Sequence, residues 1–153
     1  MKPLPILILV TALFTISSIT AVHAAPQFGL RIGQYNDADD LFVGAELLSA
    51  IQPHLYFNPN VEYVLAENMT YLTLNADFNY NFFKSSSVFL WAGGGPGLAY
   101  LNPEGPAESN SELAINLLFG LGLDLRGSLT PYVQVKFILG DVDETVLAFG
   151  LRF

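Results

Sequence analysis

Between Leu113 and Leu125 every second residue is large and apolar: Leu113, Ile115, Leu117, Phe119, Leu121, Leu123 and Leu125 alternate with Ala114, Asn116, Leu118, Gly120, Gly122 and Asp124. A period of two is the side-chain period of a β-strand. Such a long apolar face exceeds what a half-buried strand in a small soluble core uses. The chain as a whole is 52% hydrophobic and only 13% charged, where about 25% charged residues is usual for a soluble domain. Beyond residue 24 it holds no uninterrupted apolar run of the roughly 20 residues that a membrane-crossing helix needs. Lipid tolerates only backbones that satisfy their own hydrogen bonds, which leaves helices and closed barrels. The pattern therefore predicts a barrel.

The same alternation recurs along the chain and divides it into eight strands. At the end of the chain Leu147, Phe149, Leu151 and Phe153 face one way and Val146, Ala148, Gly150 and Arg152 the other. Before it, Val133, Val135, Phe137 and Leu139 oppose Tyr132, Gln134, Lys136 and Ile138. Earlier segments start at Phe28, Leu41, Leu55 and Thr70, with Arg31, Glu46, Glu62 and Asp77 on their polar faces. A Gly-rich fifth strand runs from Val88 to Tyr100, with Gly93, Gly95 and Gly97 inward. The expected fold is all-β, an eight-stranded antiparallel up-and-down transmembrane β-barrel with apolar residues toward lipid and polar residues toward the lumen.

Residues 1–24 read as a signal peptide: Lys2 precedes an apolar run from Leu4 to Ile16, and the segment ends in Val22-His23-Ala24, a small-residue cleavage pattern. The barrel domain then covers residues 25–153. There is no cysteine, which removes disulfides and thiolate metal sites from consideration. Loss of Lys2 takes the net charge from −8 to −9, a sign that argues against nucleic acid as a partner.

Connections rich in Asn, Asp, Glu and Gly at 36–40, 66–68, 101–112 and 140–144 alternate with 50–54, 81–87 and 126–130. An even strand count puts both termini at one end, expected to be the periplasmic one. Pro59 and Pro96 lack the N–H that a closed ladder uses, so bulges are expected there. Tyr35, Tyr63, Tyr80, Trp91, Tyr100, Tyr132 and Phe153 lie near strand ends, where aromatic rings favour the membrane interface. Trp91 and some others share the parity of the lumen.

An eight-stranded barrel is just wide enough to be filled by its own side chains. The inward positions place Arg31, Lys136 and Arg152 with Glu46, Glu62, Asp77 and Asp124, and confined charges must be paired because unpaired ones are costly to desolvate. Arg31 with Glu46, and Asp124 with Lys136, are the pairs expected from neighbouring strands, giving a plugged lumen. Gly93-Gly94-Gly95-Pro96-Gly97 is not a phosphate loop, since no Lys-Ser/Thr and no helix pattern follow it. His23 belongs to the signal peptide and His54 to a short turn with no adjacent Ser, so no catalytic residue, metal site or cofactor is assigned.

With the leader, eight alternating strands and a terminal aromatic in place, residues 27–153 resemble the OmpA/OmpX-like superfamily of small outer-membrane β-barrels. The most specific segments are Thr130-Pro131-Tyr132-Val133-Gln134-Val135-Lys136 and Ala148-Phe149-Gly150-Leu151-Arg152-Phe153. The resemblance implies that Gly150, Leu151 and Phe153 form the signal read by the barrel assembly machinery. It also implies residence in the bacterial outer membrane beside lipopolysaccharide. Lipid A deacylases and palmitoyl transferases share the architecture but carry a His, a Ser and an acid at the outer rim, a set not found here.

The leading expectation is a non-enzymatic, monomeric barrel serving envelope structure or surface interaction. A narrow channel similar to the OmpW-like proteins is the first alternative, and a soluble lipocalin-like binder with its large residues turned inward is the second. The loops expected outside the cell carry acidic residues from Asp37 to Glu144 and no Lys or Arg. Hard divalent cations favour such oxygen ligands and could bridge them to lipopolysaccharide phosphates, although a solvated acidic face is the simpler expectation.

Overall fold

In a computed structural model, which describes residues 25–141 and 143–153, the chain closes into one antiparallel barrel. The signal peptide assigned to residues 1–24 lies outside the described residues. The strands are β1 (Gln27–Tyr35), β2 (Asp40–Gln52), β3 (Leu55–Val64), β4 (Met69–Lys84), β5 (Val88–Pro103), β6 (Asn110–Leu123), β7 (Thr130–Leu139) and β8 (Glu144–Arg152). Each pairs with its neighbours in sequence, and β8 returns to β1 to close the wall. Among the described residues no strand edge is left unpaired, which is what a lipid environment demands of a sheet.

The side-chain alternation sorts as the period-two pattern requires. On β6 Leu113, Ile115, Leu117, Phe119, Leu121 and Leu123 are exposed on the outside, whereas Asn116 and Leu118 are buried within. On β8 Phe149 and Leu151 are exposed while Val146, Ala148 and Arg152 are buried. The large apolar residues thus point out and the charged residues point in, opposite to a lipocalin-like binder. Tyr63, Tyr80 and Phe153 are exposed on the outer surface, but Tyr35, Trp91 and Tyr132 are buried in the lumen. For Tyr35 and Tyr132 the interface expectation is corrected, and Trp91 follows its lumen parity, because odd or even position along the strand outweighs nearness to its end.

The strands run further into the connections than the composition implied. Two-residue and three-residue turns at 53–54 and 85–87 replace the loops expected at 50–54 and 81–87. At the opposite end the 104–109 connection is shorter than the expected 101–112. Left-handed backbone at Asp39, Asn68 and His54 (φ 58°, 57° and 67°) turns the chain tightly, a conformation that Asn and Asp tolerate well.

The bulges are not at the prolines. Registers run unshifted past Pro59 and Pro96, and the wall instead accommodates an extra residue between Ala50 and Gln52 on β2 and between Asn81 and Phe83 on β4. Both lie at the end that carries the termini. At Pro59 the reason is local: the Leu47 carbonyl, which stands opposite it in the β2–β3 register, accepts a hydrogen bond from the Asn58 side-chain amide at 3.1 Å. A side-chain donor replaces the missing backbone donor, so the ladder need not deform.

Candidate functional site: the lumen

Three charged levels of side chain meet inside the barrel because each sits at an inward position of its strand. Glu62 of β3 is the hub. Its Oε2 accepts from Lys136 Nζ of β7 at 2.7 Å, from the Tyr35 hydroxyl of β1 at 2.5 Å and from Thr73 Oγ1 of β4 at 3.3 Å. Its Oε1 lies 3.1 Å from Arg31 Nη2 of β1. Glu46 of β2 forms a second centre, accepting from Arg152 Nε at 2.6 Å and lying 3.5 Å from Arg31 Nη1. Arg31 therefore links the two carboxylates.

Asp77 of β4 is fully buried and held by amides rather than by a cation. Asn60 Nδ2 donates to its Oδ2 at 2.9 Å and Asn116 Nδ2 to its Oδ1 at 3.0 Å. Asn75 ties this group together, donating to Asn60 Oδ1 at 3.0 Å while its own Oδ1 accepts from Asn116 at 2.8 Å. Amide donors stabilise a buried carboxylate without importing another charge.

Asp124 does not join this network, and its expected pairing with Lys136 is corrected. It lies beyond the end of β6, where its Oδ1 accepts from the Arg126 backbone N–H at 3.1 Å, while Lys136 sits opposite Leu118 in the β6–β7 register. The side chain lines a cavity of about 340 Å³ at the end carrying the termini, together with Gln27, Tyr56, Asn81, Lys84 and Phe89. The expectation failed on register: with Leu118 opposite Lys136 and Gly122 opposite Tyr132, continuing the ladder would carry Asp124 to the level of Thr130, six residues from Lys136.

Apolar layers that sequence reasoning did not single out as a unit bound the polar belt on both sides. Toward the end opposite the termini Tyr35, Phe42, Val64, Val146 and Ala148 pack together, with Tyr71 and Ile138 against them. Toward the termini Trp91, Leu118 and Tyr132 form the second layer, with Phe89 stacked 5.5 Å from Trp91. The Arg152 guanidinium lies over both Tyr132 and Trp91, 4.2 and 5.1 Å from their ring centroids. Gly120 makes room for this layer, since a Cβ there would run into the Trp91 indole, as one at Gly150 would run into the Tyr132 ring. The signal for the layer was present as inward-parity aromatics facing inward glycines on adjacent strands.

Arg31, Glu46, Glu62, Asp77, Lys136 and Arg152 are thus brought together, three cations with three carboxylates, all buried. Gly150, Leu151 and Phe153 lie along the closing strand, where Leu151 and Phe153 are exposed outside. His54 sits in its turn beside Tyr80, with ring centroids 6.3 Å apart. Among the described residues no group of three or more His, Cys, Asp and Glu is arranged to hold a metal ion.

A closed eight-stranded antiparallel wall, an apolar outer surface and a polar interior filled by side chains define the fold of the small outer-membrane β-barrels. No protein-family model and no curated protein sequence matches the chain. Among solved structures it is similar to the N-terminal β-barrel domain of OprF from Pseudomonas aeruginosa, with 11% identity, a TM-score of 0.73, and coverage of 84% of this chain and 95% of that one. It is also similar to Neisserial surface protein A, with 12% identity, a TM-score of 0.64, and coverage of 83% and 92%. De novo designed transmembrane β-barrels align with 11% identity, a TM-score of 0.54, and coverage of 84% and 94%. At such identities what is shared is the fold.

Proposed function

We propose that this protein is a non-enzymatic, monomeric barrel of the bacterial outer membrane with a closed lumen, serving envelope structure or surface interaction. The observation that carries the reading is the filled interior: a charged and amide belt of mutually bonded side chains between two apolar layers. A solute would have to displace both layers and leave buried charges unpaired, a cost of several kcal/mol for each pair broken. Every carboxylate in the belt is engaged, which also leaves none free for acid or base chemistry.

In this reading the termini face the periplasm and the acidic connections face outside, next to lipopolysaccharide. Gly150, Leu151 and Phe153 serve as the assembly signal, a role supported by the place of the first two on the strand that completes the wall and of Phe153 directly after it, bonded to Phe28. Purified protein in planar lipid bilayers tests the closed lumen. The expected record is free of discrete conductance steps; repeated open events would overturn the plug and favour the narrow channel.

A further inference from the structure

The wall closes where its two shortest strands, β1 and β8, nine residues each, come together. Their ladder runs from Gly29 opposite Arg152 to Tyr35 opposite Val146. It is finished at the termini end by a reciprocal pair of backbone bonds, Phe28 N–H to Phe153 O at 3.1 Å and Phe153 N–H to Phe28 O at 2.8 Å. Short ladders open more readily than long ones, because fewer bonds must break at once.

On the lumen side an ion pair crosses this seam near the termini, beyond the apolar packing of Tyr35 with Val146 and Ala148 at its other end. Arg152 of β8 reaches over β1 to Glu46 of β2, with Nε 2.6 Å from Oε1. The contact passes directly over Gly29: a Cβ there would stand 2.8 Å from the Glu46 Cγ and Oε1 and 3.2 Å from the Arg152 Cγ. The same guanidinium lies over Tyr132 of β7 and Trp91 of β5. Three other strands thus hold one side chain, and it belongs to the strand that arrives last in sequence.

We propose that Arg152 is a closure pin: seated over Tyr132 and Trp91 and bonded to Glu46 across Gly29, it holds the β1–β8 seam shut. The pin forms only when β8 docks on β1, because Glu46 and Arg152 stand on strands separated by β1. It couples seam closure to completion of the aromatic layer, since withdrawing Arg152 uncovers both rings. The remaining ladders are held by their own pairing and do not need it.

Hydrogen–deuterium exchange of the full barrel in detergent micelles, resolved by strand, tests this. Arg152→Met keeps an apolar stem over the rings and removes the fork that reaches Glu46. Amides of β1 and β8 are expected to exchange about tenfold faster, while those of β4 and β5, which share a much longer ladder, stay unchanged. Gly29→Ala, which keeps both charges and inserts a methyl beneath them, is expected to give the same seam-selective change and carries the test if Arg152→Met does not fold. Unchanged exchange at the seam, or an equal rise in all four strands, overturns the proposal and leaves Arg152 an ordinary part of the lumen filling.

Discussion

Lys136 on β7 and Glu62 on β3 stand four strands apart in a wall of eight, on opposite sides of the barrel, and meet with Nζ 2.7 Å from Oε2. The contact ties β3 to β7 across the lumen. Removing Lys136 takes away the shorter of the two cation contacts of Glu62 and leaves this buried carboxylate with Arg31 as its one ion-pair partner. Lys136→Met is expected to lower unfolding stability in urea by about 3–5 kcal/mol. The double variant Lys136→Met with Glu62→Gln should recover much of that loss, and additive losses would show that the two side chains are not coupled.

Leu121 lies on the outer face of β6. Leu121→Arg puts a charge against lipid, and a stability loss of about 2–4 kcal/mol is expected from unfolding in liposomes if the site lies near the bilayer midplane. A neutral result would mean that this face does not meet lipid.

Gly120 opposes Trp91 across the β5–β6 ladder and leaves space only for the indole. Gly120→Val overfills the aromatic layer and should cost about 1–3 kcal/mol. Trp91→Phe in the same chain should return part of it, because the smaller ring withdraws from the added methyls. Urea unfolding measures both the loss and the recovery, and the near-ultraviolet circular dichroism of the single tryptophan reports the repacking in the Gly120→Val chain.

Asn58 supplies the donor that Pro59 cannot. Asn58→Leu leaves the Leu47 carbonyl and the Glu46 carboxylate each short of one hydrogen bond, since Asn58 Nδ2 also lies 3.1 Å from Glu46 Oε2. A loss of about 1–3 kcal/mol is expected in urea titration. Pro59→Ala on that background restores a backbone donor and should recover part of the loss; no recovery would show that the proline is not the cause.

Deletion of Phe153 removes the reciprocal backbone bonds with Phe28 and the edge contact between the two rings, whose centroids are 5.4 Å apart. Slower appearance of the heat-modifiable folded band is expected during assembly in cells. An unchanged rate would remove Phe153 from the assembly signal.

The wall was legible in the sequence because a strand's faces are set residue by residue: the alternation through Leu113, Ile115 and Leu117 needs no partner to be read. The lumen was legible only in part. Pairing Lys136 with Asp124 followed from reading neighbouring strands, whereas the actual partner, Glu62, lies across the diameter and becomes near only once the sheet curls shut. The extra residues at Ile51 and Phe82 carry no glycine or proline to announce them. They answer the geometry of closure, which no single strand encodes. Pro59 drew the opposite error, since the residue beside it already provided the remedy.

The belt of Arg31, Lys136 and Arg152 with Glu46, Glu62 and Asp77 sums to zero charge. A voltage across the membrane acts on the cations and carboxylates of this belt in opposite directions, so it exerts no net force on the filling as a body. In electrical terms the belt is a neutral filling.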